Sequence, residues 1–111
     1  MSSDTTIQLV RLALDASLMR QTAIANNIAN ANSTNYQTLE VNFEQQLNDS
    51  SFISSEEIST LVPFYLPAEQ QSSIDEQMAL NVQNITHYRA LIKGLNHKLA
   101  IMKLALQGTN Q

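Results

Sequence analysis

The 111-residue chain has no cysteine, no tryptophan, and only two glycines and two prolines. Without cysteine there is no disulfide framework, no thiolate nucleophile and no thiolate metal site. Two glycines leave no room for a Gly-rich phosphate loop, a GxSxG elbow or an EF-hand loop. Aromatics make up 5% of the chain and charged residues 14%, so few large anchors exist to line a deep pocket. Bases are scarce as well. Six against ten acids give a formal charge of −4, which argues against nucleic-acid binding, since that normally needs a basic field. The longest apolar run, Leu61 to Leu66, contains Pro63 and falls far short of the ~18 residues of a membrane span. The opening residues, Met1 to Thr6, lack the basic and apolar regions of a cleaved secretory signal. Any export is therefore expected to use a route that needs neither.

Hydrophobic residues make up 43% of the chain, and Asn and Gln number eleven each. This aliphatic, Ala-rich and amide-rich composition favours helix and suits long polar interfaces. The breakers fall at Pro63, Pro67, Gly94 and Gly108, so long helices are permitted at both ends of the chain. The first is predicted over about Thr6 to Ala31, with Thr5 and Gln8 fitting a capping box. Ile7, Val10, Leu14, Ser17, Gln21, Ile24, Ile28 and Ala31 step by three and four as an a/d heptad seam with polar interruptions. The last is predicted over 74–107, from a capping box at Ser73 and Glu76 to Gly108 as a C-terminal cap. Within it Ile85, Tyr88, Ile92, Leu95, Leu99, Met102 and Leu106 alternate steps of three and four without a miss. Met78 and Val82 extend this seam upstream.

Between the helices, Leu39, Val41 and Phe43 alternate with Glu40, Asn42 and Glu44, a short strand signal. Residues 61–67 carry two prolines and can form only an edge strand or a loop. From Glu40 to Glu76 there are eight acids and no base. This middle is expected to be poorly ordered in an isolated monomer, apart from the strand. The predicted fold is mainly α: long N- and C-terminal helices pairing as an antiparallel, coiled-coil-like hairpin, with a short irregular or β middle segment. Three sections follow: 1–36, 37–73 and 74–111. From Gln77 onward the four charged residues are all basic: Arg89, Lys93, Lys98 and Lys103. Identical helices pairing in parallel would oppose like charges, so a heterotypic partner is favoured for this seam.

No catalytic constellation emerges. His87 and His97 lie ten residues apart on different helix faces and cannot form an i,i+4 metal pair. Neither a cofactor nor a catalytic or metal-binding residue is predicted. The local oddity is a cluster of mediocre helix formers, Asn26, Asn27, Asn30 and Asn32, interleaved with Ala25, Ile28, Ala29 and Ala31 and followed by Tyr36. A fraying helix end capped by Asn accounts for one or two of them. An amide face bonding to a neighbouring backbone, brought close by the small Ala residues, accounts for all four.

The same residues, Ala25 to Tyr36 (ANNIANANSTNY), resemble the N-terminal signature of bacterial flagellar rod, hook and related axial proteins. The departure is Ser33-Thr34-Asn35 where the signature usually ends in glycine, and Asn35 can take the left-handed turn a glycine would supply. Short length and the segments Ile74 to Met78, Tyr88 to Leu91, Lys98 to Ala100 and Ala105 to Gly108 most resemble the proximal members of the basal-body rod family. Leu39 to Leu47 also looks like the family's post-signature segment. The resemblance covers about residues 7–47 and 72–108, and the middle is shorter than usual for the family. It implies a structural subunit exported unfolded by the flagellar type III apparatus without a cleaved signal. Such a subunit polymerises into the torque-transmitting rod in the periplasmic space, its terminal helices paired at the inner wall. Implied partners are other flagellar rod subunits, the rod-to-ring adaptor protein, the inner-membrane ring and the export gate. Neither a nucleic acid nor a direct membrane span is implied. The subunit interface would then comprise Asn26, Asn27, Ile28, Asn30, Asn32 and Tyr36 with the seam Ile85, Tyr88, Ile92, Leu95, Leu99, Met102 and Leu106. A cytoplasmic helical adaptor or type III secretion chaperone, also short, acidic and helical, is the alternative; the Asn signature speaks against it.

Overall fold

The computed structural model describes residues 3–49 and 55–109. In chain order the elements are α1 (Ser3–Ala29), β1 (Leu39–Asn42), α2 (Glu44–Asn48), α3 (Ser55–Ile58), β2 (Phe64–Pro67) and α4 (Ile74–Thr109). The chain is mainly helical, with α1 and α4 packed against each other and a two-stranded sheet between them in sequence. Asn27 meets Gln77, Gln21 meets Asn81 and Ser17 meets Asn84, so the helix pair is antiparallel. At ~1.5 Å per residue α1 spans about 40 Å and α4 about 54 Å. The last turns of α4 therefore run on past the start of α1. The molecule measures 65 × 26 × 15 Å.

The helix ends follow local chemistry. Ser73 starts α4 as predicted: its hydroxyl accepts from the Glu76 amide at 3.1 Å, and the Gln77 amide bonds the Ser73 carbonyl at 3.0 Å. Other boundaries shift. α1 begins at Ser3, so Thr5 lies inside its first turn, and it ends at Ala29, leaving Ala31 exposed. Gly108 is helical, without the positive φ that a C-terminal glycine cap requires. After α1 the chain turns at Asn35, whose φ of 63° is the left-handed conformation expected of it.

The middle departs from expectation. Instead of a poorly ordered stretch, it holds most of the core. β1 pairs antiparallel with β2, Leu39 opposite Pro67 and Asn42 opposite Phe64. This makes the proline-bounded segment an edge strand, as its prolines require. Val41, Phe43 and Leu61 are buried with Ala16 and Ala23 of α1, and Leu9, Leu12, Ala13, Met19, Leu39 and Leu47 pack around them. Ile58 of α3 is also buried. α1 thus carries two working faces. The predicted seam meets α4, and a second stripe through Leu9, Leu12, Ala16, Met19 and Ala23 meets the middle. Of the weakly anchored stretch 48–60, residues 50–54 lie outside those described.

Candidate subunit interface

The two long helices are joined by amides between Ser17 and Asn27 on α1 and between Gln77 and Asn84 on α4. Asn84 is buried; its Nδ2 donates to the Ser17 carbonyl at 2.9 Å and to Gln21 Oε1 at 3.0 Å, and its Oδ1 accepts from the Ser17 hydroxyl at 3.0 Å. Gln21 in turn donates through Nε2 to Asn81 Oδ1. The polar interruptions at Ser17 and Gln21 are therefore matched by polar partners on α4. Among the described residues no buried side-chain polar atom lacks a partner. The facing stripe of α4 runs Gln77, Asn81, Asn84, Tyr88, Leu91, Leu95, Lys98 and Met102, all buried or half-buried.

That stripe is one position out of phase with half of the predicted seam. Tyr88, Leu95 and Met102 belong to both. Ile92 is half-buried beside them, while Ile85 (37% exposed), Leu99 (45%) and Leu106 (65%) lie toward solvent. Val82, Met78, Ile101 and Leu104 are also more than half exposed. The apolar band of α4 is wider than α1 can cover, and α1 sits to one side of it.

The Asn signature divides in the same way. Asn27 is 5% exposed and completely satisfied within the chain. Its Nδ2 donates to the Leu39 carbonyl at 2.9 Å and to Gln77 Oε1 at 3.1 Å. Its Oδ1 accepts from the Leu39 amide at 2.9 Å and the Tyr36 hydroxyl at 2.8 Å. The side chain pairs with Leu39 as a neighbouring strand would, and so fixes the entry to β1. Asn30 closes the end of α1: its Nδ2 donates to the Asn26 carbonyl at 2.9 Å, and its Oδ1 accepts from the Ser33 hydroxyl at 3.2 Å. Asn27 and Tyr36 thus spend their polar groups on the fold. Asn26 and Asn32 are exposed, and Ile28 is half-buried. Sequence reasoning missed Gln77, Asn81 and Asn84 as partners of α1. The signal was there: they repeat at steps of four and three, in register with the polar gaps of the first helix.

Both histidines are exposed. Among the described residues no three His, Asp or Glu side chains gather where a metal could be held, and no helix is long and apolar enough to cross a membrane. The chemistry on offer is association: exposed aliphatic side chains on a helix with cations at its borders.

No family model matches the chain. Among curated proteins, it is similar along nearly its whole length to the flagellar basal body rod protein FlgB of Bacillus subtilis (strain 168), with 28% identity over 121 aligned residues. The similarity covers 93% of this chain and 94% of the relative, so it takes in the Asn signature, the β1–β2 hairpin and α4 together and supports a kinship with FlgB-like rod proteins.

Proposed function

We propose that the chain is a structural subunit of a bacterial flagellar basal-body rod, without enzymatic activity. The observation that carries this reading is an inversion of the usual pattern. Gln77 and Asn84 of α4 are buried, while Met78, Val82, Ile101 and Leu104 of the same helix are more than half exposed. A monomer has no use for an apolar band that it leaves wet, whereas a subunit that is covered by neighbours does. Similarity to FlgB over nearly the full length of both chains supports the same reading.

In this role the chain leaves the cytoplasm through the type III apparatus and self-assembles with other rod subunits in the periplasmic space. It forms part of the torque-transmitting shaft, in contact with the adaptor protein, the inner-membrane ring and the export gate. The subunit interface comprises the exposed signature residues Asn26 and Asn32, with Ile28 and Asn30 beside them, and the outward part of the α4 seam, Ile85, Ile92, Leu99 and Leu106, while Tyr88, Leu95 and Met102 of the same seam support it from the side that meets α1. Asn27 and Tyr36 support it from within by fixing the turn. The test is deletion of the gene followed by complementation. Wild type restores motility and basal bodies with rods, and Leu99→Asp restores neither while the subunit is still exported. Rods of normal length in the deletion strain overturn the reading.

A further inference from the structure

β1, β2, α3 and α4 all pack against α1, and the middle of the chain and α4 differ in charge. Residues 40–69 carry six acids and no base, and α4, after Asp75 and Glu76 in its first turn, carries four bases and no further acid. Among the described residues none of the four bases of α4 forms an ion pair, and Arg20 of α1 pairs with Glu44 at 2.7 Å.

Each region also offers a matching shape. On β1, Leu39 and Val41 turn inward and Glu40 turns out, with the half-buried Asn42 on its side of the strand. Across the ladder Glu40 stands opposite Leu66, and Asn42 opposite Phe64. Phe64 is 48% exposed. The outer face of the hairpin is thus an aromatic knob with an unpaired carboxylate diagonal to it. On α4, Tyr88, Arg89, Ile92, Lys93 and Asn96 line a shallow groove of about 330 Å³. Its apolar lining is Ile92 and the Tyr88 ring, and the two cations at its edge are both exposed.

We infer that the hairpin face of one copy docks on the α4 groove of a second copy, with Phe64 over Ile92 and Glu40 facing Arg89 and Lys93. This rests on the reading of the chain as an assembly subunit and names the partner of the seam. The occupant is a second copy because both complementary surfaces are present on this chain. The like-charge argument that disfavours α4 pairing with α4 does not apply here. A parallel pairing of two α4 helices would set Arg89 against its own copy, while the hairpin brings an acid and a ring for the cations to lie against. Because the two surfaces differ, the contact is heterologous and continues from copy to copy as an open helix or a ring.

The experiment is sedimentation of the full chain, wild type and variants, with helicity measured alongside. Wild type should self-associate at about 0.1 M salt and dissociate at about 1 M. Glu40→Gln alone and Arg89→Gln with Lys93→Gln should each weaken association about tenfold at unchanged helicity. Mixing these two proteins leaves one intact surface on each, the hairpin of one and the groove of the other. The mixture should form a one-to-one pair and nothing larger. Phe64→Ala should abolish the pair when it is placed on the protein with the native hairpin, and have no effect on the other. Association of the single variants at wild-type strength, a mixture that stays monomeric, or a wild-type chain that joins only other proteins would each overturn the docking. Rod recovery in cells reads the structural role separately, so the pairing can fail while that role stands.

Discussion

The two ends of the helix pair are built on opposite plans. Beside the hairpin, α1 and α4 meet through Asn27 and Gln77, Gln21 and Asn81, Ser17 and Asn84, and the polar atoms there are matched. At the far end α4 runs past α1, with Ile101 51% and Leu104 67% exposed. A ladder of amides adds little net stability, because each bond replaces one to water. It does make a shifted register costly, since a slip by one turn would leave several buried amides unpaired. The hairpin end is thus fixed in geometry, and the far end keeps apolar surface that the proposed assembly would cover.

The largest effect should come from breaking the closed end at its core. Phe43 is 1% exposed and packs among Val41, Leu61, Ala16 and Ala23. Phe43→Ala should cost roughly 3–5 kcal/mol, enough to unfold a small domain of ordinary stability. Urea unfolding followed by circular dichroism checks this. A loss below about 1 kcal/mol would place the stabilising core elsewhere and remove one side of the comparison.

Next comes Asn27. As a terminal cap it would be improved by Ala, the better helix former. As the hub of four hydrogen bonds to Leu39, Gln77 and Tyr36 it leaves several groups unsatisfied when truncated, at ~1–3 kcal/mol for each that water cannot reach. Asn27→Ala should therefore destabilise the isolated chain by about 3 kcal/mol, and thermal or urea unfolding reads the sign directly. A gain in stability would return Asn27 to the helix end or to the intermolecular surface.

These two residues also mark the limits of reading the sequence. Helix positions were legible from spacing and the Ser73 cap, β1 from its alternation, and the seam of α1 from Ile7 to Ile28. The left-handed turn at Asn35 was legible from residue type. The second face of α1 was not, because Leu9, Leu12, Ala16, Met19 and Ala23 overlap the same apolar periodicity and nothing local says that two partners share the helix. The middle was misjudged for a related reason. Its acids are all on the surface, and its anchors, Val41, Phe43, Ile58 and Leu61, are spread over separate short elements. The α4 seam is the most instructive case. Periodicity finds the apolar stripe, but the chain's own partner follows the amides beside it. Asn27 looked like an intermolecular residue because its true partner, the backbone of Leu39, is invisible to any pattern of side chains.

A smaller effect, of opposite sign, tests the open end. Gly94 lies inside α4, and a Cβ built there meets nothing within 4 Å. Gly94→Ala should stabilise the isolated chain by about 1 kcal/mol, through helix propensity alone. The comparison sharpens if this stabilised variant still unfolds reversibly yet fails to assemble. The missing Cβ would then serve a neighbour that packs against Gly94, beside Ile7, Val10, Leu95 and Ile101, which line the same groove.

The smallest effect on the isolated chain should come from Leu104. It is 67% exposed, so Leu104→Gln gives up little burial, and both residues are good helix formers. Surface changes of this kind usually stay within about 0.5 kcal/mol. In an assembly where the far end of α4 is covered, the same change would lose the burial of most of a leucine, about 1.5–3 kcal/mol per subunit, repeated around the structure. Equilibrium unfolding of the dilute chain and rod recovery from complemented cells should therefore diverge. Unfolding should be unchanged and rods should be scarce. Equal loss in both would mean that Leu104 is already covered within the monomer. Normal rods with normal stability would mean that the exposed end of α4 stays wet in the assembly, and the contrast between the two ends would then reflect length alone.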